Sequence, residues 1–217
     1  MTARTRTAVL ISGRGSNLQA LIDACADRDF PAEIACVISN VPDVGGLERA
    51  KRAQIPTHIV RHGEHATREA FDAAIDARLR AAGTELACLA GFMRVLSSPF
   101  VERWKGRLVN IHPSLLPSFK GLDVHRRVLE AGVRISGCTV HFVVPELDSG
   151  PIIAQAAVPV LPDDTEDTLA ARTLGAEHKL YPLALRLLAE GRVRLSGDHA
   201  EFSNCTPTND MLINPAR

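Results

Sequence analysis

The sequence predicts an α/β fold in which a mostly parallel central sheet carries helices on both faces and ends in an antiparallel return of strands. Short β-branched runs alternate with longer helical stretches, which is typical of a parallel sheet covered on both faces. Near the C-terminus only residues 145–151 separate two strand-like runs, too few for a helical crossover. With 217 residues, 46% of them hydrophobic, we expect one domain, its core at about 7–190 and a C-terminal extension at 191–217.

The first half of the chain alternates regularly. The short apolar runs end at a polar residue or a glycine and are predicted as strands at 7–12, 33–39, 57–60 and 86–90. The longer stretches between and after them are predicted as helices at 16–27, 47–54, 65–82 and 97–104.

The second half begins with a strand at 107–111, followed by a Pro-rich loop that ends near Gly121. A helix at 122–131 and strands at 136–144 and 152–160 come next. Residues 165–190 carry leucines at broadly helical spacing, but Pro182 should kink that helix or begin a new segment. Beyond Gly191 two short strand-like pieces precede Pro- and Asn-rich residues for which no structure is predicted.

Composition and charge favour a protein that binds small molecules. Lys plus Arg equals Asp plus Glu at 25 each, which argues against a nucleic-acid or membrane-surface partner. No apolar run is long enough for a membrane span or a signal peptide, so we expect a cytoplasmic protein. The five cysteines are scattered and odd in number, which predicts reduced core thiols without a disulfide framework or a metal motif.

Asn110 and His112 are the strongest candidates for catalysis. They lie two residues apart at the C-terminal end of a predicted strand, so both side chains should leave on the same face. Ligands of open α/β sheets gather at that edge, and Pro113 then directs the chain into an extended loop. An amide donor beside an imidazole can hold a developing oxyanion and move a proton, as acyl or formyl transfer requires.

The turn at residues 13–18 (GRGSNL) follows the first predicted strand and opens a helix, which makes an anion site of free backbone amides. Leu18 replaces the third glycine of a dinucleotide fingerprint, and Ser39 and Asn40 end the second strand in place of an acidic residue. The turn therefore favours a phosphate monoester over NAD. The alternative is a tight strand-to-helix turn capped by Ser16.

Asp148 lies in a stiff Gly- and Pro-containing turn between the two last long strands. Near His112, its carboxylate would stabilise the imidazolium form, so that the histidine could act as acid and base in turn. Otherwise Asp148 only caps its turn. His141 lies within a strand, where packing or a nearby hydrogen bond is the better expectation than contact with the reacting centre. A metal site of His112, His141 and Asp148 is a further alternative without a compact ligand motif.

Two further places could contact a ligand. Residues 93–96 follow Gly91 and Phe92 at the end of the fourth strand, at the same sheet edge as Asn110, where an exposed backbone can pair with a flat heterocycle. A hydrophobic plug at the strand exit is the alternative there. Arg68, at the exposed start of the long helix, is either a solvated charge or a partner for a carboxylate.

Four motifs in order make the chain similar to a known family. They are ISGRGSNLQA at 11–20, LAGFMRVL at 89–96, NIHPSLLP at 110–117 and ELDSGPII at 146–153. Over about residues 7–190 the sequence resembles phosphoribosylglycinamide formyltransferases, folate-dependent enzymes of purine synthesis. The resemblance implies a Rossmann-like formyltransferase fold. It also implies formyl transfer from 10-formyltetrahydrofolate to the amino group of glycinamide ribonucleotide, with no metal, by a monomer or a homodimer.

The resemblance also assigns roles to individual residues. Asn110, His112 and Asp148 match the catalytic set, with His112 as proton donor and Asp148 as the residue that tunes it. The ribonucleotide would contact Gly15, Ser16, Asn17 and Glu177. The folate would contact Arg68, Met93, Arg94, Val95, Leu96 and Asn110. Lys120 receives no role beyond a possible phosphate neighbour.

Three other functions use related features. A 10-formyltetrahydrofolate hydrolase resembles the catalytic set but passes the formyl group to water; that family has an additional N-terminal regulatory domain, whereas the first strand is expected here at about residue 7. Methionyl-tRNA formyltransferase needs a C-terminal RNA-binding domain, for which we expect this chain to be too short and too neutral. A non-catalytic folate- or nucleotide-binding module would keep the Gly-rich turn but would not need Asn110, His112 and Asp148 together.

Overall fold

A computed structural model describes residues 3–205 and 214 of the chain. Its strands are β1 (Thr5–Ile11), β2 (Ala32–Ser39), β3 (Thr57–Ile59), β4 (Leu86–Leu89), β5 (Leu108–His112), β6 (Ile135–Phe142), β7 (Ile152–Pro159), β8 (Val193–Ser196) and β9 (His199–Phe202). Its α-helices are α1 (Ser16–Ala26), α2 (Gly45–Arg52), α3 (Arg68–Ala81), α4 (Ser98–Arg103), α5 (Val124–Glu130) and α6 (Glu166–Ala189).

The predicted sheet is confirmed. Seven strands form it in the order β3-β2-β1-β4-β5-β6-β7, and the first five are parallel to one another. β6 runs antiparallel to both β5 and β7, which is the predicted return. The carboxyl ends of the parallel strands β1, β4 and β5 consequently lie at one edge of the sheet. The Gly-rich turn follows β1, residues 93–96 follow β4, and His112 is the last residue of β5.

Helices cover both faces of this sheet because alternate residues of each central strand point to opposite sides. Val9 and Ile11 of β1 pack into the cluster that contains α1 and α6, whereas Ala8 and Leu10 pack into the cluster that contains α3 and α4. β8 and β9 form a separate antiparallel hairpin after α6, as the two strand-like pieces predicted. None of the helices formed by the described residues is both long and apolar enough to cross a bilayer.

Two helix predictions were wrong in detail. The long helix begins at Arg68, because residues His62–Glu64 form a 3₁₀ turn and the Thr67 hydroxyl caps the helix by accepting from the Ala70 N–H. Pro182 does not begin a new segment, since α6 runs through it without interruption. Tyr181 and Leu185 on either side are fully buried, and their packing against the sheet outweighs the lost backbone hydrogen bond.

The remaining boundaries differ from the prediction by at most two residues. The most consequential difference is that His112 is the last residue of β5 itself, so the sheet directs its side chain. Cys36, Cys88 and Cys138 are buried, and all five cysteines are free thiols. Burial raises the pKa of Cys88 to about 12, as expected of an unreactive core thiol. Most of the unassigned C-terminal residues, 206–213 and 215–217, lie outside the described part.

Candidate active site

His112 is held between a backbone carbonyl and a carboxylate. Its side chain is almost fully buried at the end of β5, and Nε2 donates a hydrogen bond to the carbonyl oxygen of Phe119 at 2.9 Å. Its other ring nitrogen, Nδ1, lies 3.4 Å from Oδ2 of Asp148. The predicted proximity of His112 and Asp148 is therefore present, and each ring nitrogen faces an acceptor.

The loop between β6 and β7 delivers Asp148 to this position. Gly150 lies so close to β6 that a Cβ atom there would come within 1.7 Å of the Phe142 carbonyl oxygen, so only glycine allows the loop to lie flat on the strand. Asp148 adopts a left-handed backbone conformation, with φ of 48°, and its side chain is buried. The backbone N–H of Gly121 donates to its Oδ2 at 2.9 Å. The carboxylate thus has a fixed direction towards His112.

Asn110 and His141 form a cross-strand pair in the β5–β6 register. Asn110 Nδ2 lies 3.2 Å from His141 Nε2, and His141 Nδ1 donates to the carbonyl oxygen of Phe142 at 2.9 Å. Burial lowers the pKa of His141, which keeps the ring neutral and leaves Nε2 as an acceptor. His141 therefore orients the amide of Asn110, and one Nδ2 hydrogen remains for another partner.

His141 hydrogen-bonds nearby, as expected, and it also belongs to the same polar cluster. Its Nε2 also lies 3.9 Å from Oδ1 of Asp148, so this carboxylate stands between both imidazoles. The strand position was visible in the sequence, but only the register of β6 against β5 shows that residue 141 is opposite residue 110. Among the described residues, no group of three or more His, Cys, Asp or Glu side chains is placed to hold a metal ion.

The loop at residues 113–121 closes over the cluster and is anchored by β6 and β7. The Thr139 hydroxyl donates to the Ser114 carbonyl at 2.7 Å and accepts from the Leu116 N–H at 3.0 Å. Gln155 on β7 donates its amide to the Leu116 carbonyl at 2.9 Å. These bonds bring the Phe119 carbonyl and the Gly121 N–H to His112 and Asp148, two partners that no side-chain motif in the sequence indicated.

The Gly-rich turn has the geometry of an anion site. Gly15 adopts φ of 71° directly before α1, and a Cβ atom there would lie 2.6 Å from the Gly46 Cα. No side chain of the described residues caps the first N–H groups of α1, contrary to the capping alternative for Ser16. Their hydrogens and the positive end of the helix dipole are consequently available to a phosphate.

Glu177 on α6 lies beside this turn although it is 160 residues away in the chain. Asn17 Nδ2 donates to its Oε2 at 2.7 Å in a buried contact. Burial raises the pKa of Glu177, whereas the Asn17 hydrogen bond acts in the opposite direction. The structure therefore brings Asn17 and Glu177 together, as the resemblance implied for a shared ribonucleotide site.

Residues 93–96 leave the end of β4, whose last residue pairs with Asn110. The side chains of Met93 and Val95 are exposed, and Leu96 is buried. In the described part of the chain, the backbone N–H groups of Arg94, Val95 and Leu96 donate to no other group. These donors can pair with a flat heterocycle.

Arg68 is exposed at the first position of α3. A hydrogen bond links this helix to the residue that follows 93–96. One turn later, Asp72 Oδ2 accepts from the Ser97 N–H at 2.7 Å. Lys120 has a local contact, because its Nζ donates to Ser149 Oγ at 2.6 Å beside Asp148. One edge of the sheet therefore carries all three parts of the site, because β1, β4 and β5 end there. These parts are the Gly-rich turn, residues 93–96 and the His112 cluster.

Comparison with known proteins gives a consistent result. Residues 5–185 match the model of a family described as formyl transferase. The chain is 48% identical over 187 residues to phosphoribosylglycinamide formyltransferase of Escherichia coli (strain K12), covering 86% of this chain and 88% of that protein. It is 55% identical over 207 residues to the trifunctional purine biosynthetic protein adenosine-3 of Bos taurus, covering 95% of this chain.

The chain spans about a fifth of the length of that trifunctional relative, 20%. Among solved structures, glycinamide ribonucleotide transformylase 1 from Symbiobacterium toebii superposes with a TM-score of 0.90 at 48% identity, over 93% of this chain and 95% of that one. The range matched by the family model, 5–185, contains all seven strands of the central sheet. The chain therefore belongs to the formyl transferase family.

Proposed function

We propose that this protein transfers the formyl group of 10-formyltetrahydrofolate to the amino group of glycinamide ribonucleotide. The products are formylglycinamide ribonucleotide and tetrahydrofolate, in de novo purine biosynthesis. Membership of the formyl transferase family and the identity to bacterial enzymes of that activity support this proposal. The observation that carries it is the convergence of Asn110, His112 and Asp148 at one sheet edge.

The reaction begins when the neutral amine of the ribonucleotide attacks the formyl carbon and forms a tetrahedral oxyanion. Asn110 supplies the Nδ2 hydrogen that His141 does not use, and the His112 imidazole, beside Asp148, is the proton donor at the same place. Preorganised donors of this kind favour the transition state because they cost no reorganisation, and removing one typically slows a reaction by roughly 10²–10³-fold.

A proton must then pass from the attacking nitrogen to N10 of the folate, so that the C–N10 bond can break. The attacking nitrogen loses one proton, N10 gains one, and no covalent enzyme intermediate forms. Asp148 is the base nearest to His112, with its oxygens 3.4 Å and 3.9 Å from His112 Nδ1 and His141 Nε2. These distances exceed those of direct charge-assisted hydrogen bonds, so a water or the substrate amine can share this carboxylate.

The two substrates would occupy neighbouring parts of the same edge. Among the described residues the N–H groups of Gly15, Ser16 and Asn17 have no partner, so they suit the ribonucleotide phosphate, and Glu177 suits a ribose hydroxyl. The backbone donors of residues 94–96, which have no partner in the described part of the chain, suit the folate heterocycle, and the Arg68 guanidinium suits a folate carboxylate. Exposed apolar side chains of Met93, Val95 and Leu147 would be covered by the folate rings.

The resulting enzyme would work in the cytoplasm as a monomer or a homodimer. It needs only these two small molecules, with no nucleic acid, membrane or metal partner. The balanced charge of the chain supports the proposal that neither a nucleic acid nor a membrane surface is a partner.

The test is to incubate purified protein with 10-formyltetrahydrofolate and to follow tetrahydrofolate formation with and without glycinamide ribonucleotide. Product that forms only in the presence of the ribonucleotide, together with formylglycinamide ribonucleotide in equal amount, supports the proposal. Release at the same rate without the amine identifies a hydrolase. Binding of both molecules without product identifies a non-catalytic module.

A further inference from the structure

Ser12 joins the two halves of the proposed substrate site. It follows β1 directly and precedes Gly13, the first residue of the Gly-rich turn. Its backbone N–H donates to the carbonyl oxygen of Gly91, just after β4, at 3.1 Å. The chain that begins the anion site is thus bonded to the chain that leads into residues 93–96.

The Ser12 hydroxyl makes a second connection in the same direction. Its Oγ accepts from the backbone N–H of Met93 at 2.8 Å and donates to Oδ1 of Asn40, which is buried after β2. Asn40 is held in turn, because the Ser39 hydroxyl bonds to the N–H and the carbonyl of Val41 around it. The direction of the hydroxyl is therefore determined by β1, β2 and the β4 exit together.

The opposite end of residues 93–96 is held by Asp72. Its carboxylate accepts from the Ser97 N–H, and both residues are buried. Between these two anchors the N–H groups of Arg94, Val95 and Leu96 have no partner among the described residues. The segment is consequently a short arch whose ends are fixed and whose middle presents its donors to a ligand.

We propose that Ser12 is a positioning residue that couples the ribonucleotide site to the folate site. This inference rests on the proposed function. The Ser12 backbone continues into the turn at 13–17, and its hydroxyl holds the Met93 N–H at the start of the arch, so a ligand on either side acts on the same residue. Coupling of this kind is reciprocal, so each substrate raises the affinity for the other by the same factor. Ser12 itself touches neither reacting group.

The experiment is calorimetric titration of tetrahydrofolate into the protein, with and without saturating glycinamide ribonucleotide, a pair of ligands that cannot react. Wild type should bind tetrahydrofolate more tightly when the ribonucleotide is present. In Ser12→Ala the Met93 N–H loses its acceptor, and tetrahydrofolate should bind roughly 3- to 10-fold more weakly. The effect of the ribonucleotide on that affinity should disappear, whereas kcat at saturation should stay within a few-fold.

Two further variants separate positioning from general damage. Ser12→Thr keeps the hydroxyl and should retain most of the coupling, which a misfolded protein would not do. Ser98→Ala makes the same chemical change at an exposed serine on the other side of the arch and should behave as wild type. If Ser12→Ala binds tetrahydrofolate like wild type, or if the ribonucleotide effect is absent in wild type or persists in Ser12→Ala, the coupling is refuted. If wild type binds neither ligand, it is the proposed function that fails.

Discussion

The amide nitrogen of Asn110 lies 3.2 Å from Nε2 of His141, its register partner on the neighbouring antiparallel strand. Because His141 Nδ1 already donates to the Phe142 carbonyl, Nε2 can only accept in the neutral ring, and the amide must turn its nitrogen towards it. A buried histidine thus decides which way a proposed oxyanion donor points.

We expect His141→Ala to lower kcat by roughly 10-fold or more, because the Asn110 amide can then rotate its oxygen towards the oxyanion. The KM for the ribonucleotide should change little, since the Gly-rich turn and Glu177 are untouched. A double-mutant cycle with Asn110→Ala checks the mechanism. If the two residues act as one unit, the double variant is no slower than Asn110→Ala alone; additive losses would show that His141 acts by another route.

The lowered pKa of His141 predicts a loss of stability in acid. The pKa of His141 in the folded protein lies below its value of about 6.5 in the unfolded chain. As pH falls from about 7, the unfolded chain therefore binds a proton before the folded protein does, and the folded state loses stability. Above pH of about 7 the effect is absent. We expect the difference in Tm between pH 8 and pH 5.5 to be smaller in His141→Gln than in wild type.

The comparison of wild type with His141→Gln isolates the His141 imidazole. His58 and His125, whose pKa burial also lowers, are present in both proteins, as are His112 and Asp148, the charged or titratable neighbours of residue 141. An identical acid response in wild type and His141→Gln would mean that His141 is not protonated on unfolding in this range.

We expect His112→Ala to lower the rate of formyl transfer by roughly 10²–10⁴-fold, because the variant loses its proton donor. Ribonucleotide affinity, measured by calorimetry, should stay within a few-fold. His199→Ala removes an exposed histidine on β9 and serves as the matched control. A His112→Ala enzyme of near wild-type rate would exclude the residue from the mechanism.

Glu177→Gln should stabilise the free protein at neutral pH while it weakens ribonucleotide binding. The raised pKa of Glu177 means that the folded state gives up its proton less readily, so stability falls as pH rises through the raised value. Glutamine keeps the acceptor for Asn17 without the buried charge. The gain in Tm over wild type should therefore shrink towards pH 4, and an equal gain at every pH would contradict a titrating Glu177.

Asp164→Asn should destabilise the start of α6. The Asp164 carboxylate binds the Arg172 guanidinium through both oxygens, at 2.6 Å and 2.7 Å, which holds the pKa of Asp164 far below its ordinary range. We expect a loss of about 1–2 kcal/mol in the free energy of unfolding at pH 7, or roughly 2–8 °C in Tm.

The difference in stability between wild type and Asp164→Asn should disappear only in strong acid. A carboxyl group whose pKa is lowered by folding stabilises the protein above its pKa in the unfolded chain, and this stabilisation is lost as pH falls through its pKa in the folded protein. Asp163→Asn, at the exposed neighbouring carboxylate, is the control and should leave Tm unchanged. Equal effects of the two substitutions would point to net charge in place of the ion pair.

The sequence predicted much of the fold because its signals are local. Apolar runs, the turn at 13–18 and the short connection at 145–151 each report on residues close in the chain, and the sheet order agrees with them. The start of α3 was missed because one hydroxyl, that of Thr67, decides it. Of the two alternatives predicted at Pro182, a new segment was wrong, because burial of Tyr181 and Leu185 outweighs a local preference.

The site divides in the same way. Strand periodicity alone put Asn110 and His112 on one face, and the turn sequence alone predicted an anion site beside α1. Only the tertiary structure decided that His141 orients Asn110, that the Phe119 carbonyl and the Gly121 N–H hold His112 and Asp148, and that Ser12 meets Met93. Strand register and loop closure create those contacts, and both depend on hydrogen bonds between residues far apart in the chain, whose partners no local pattern specifies.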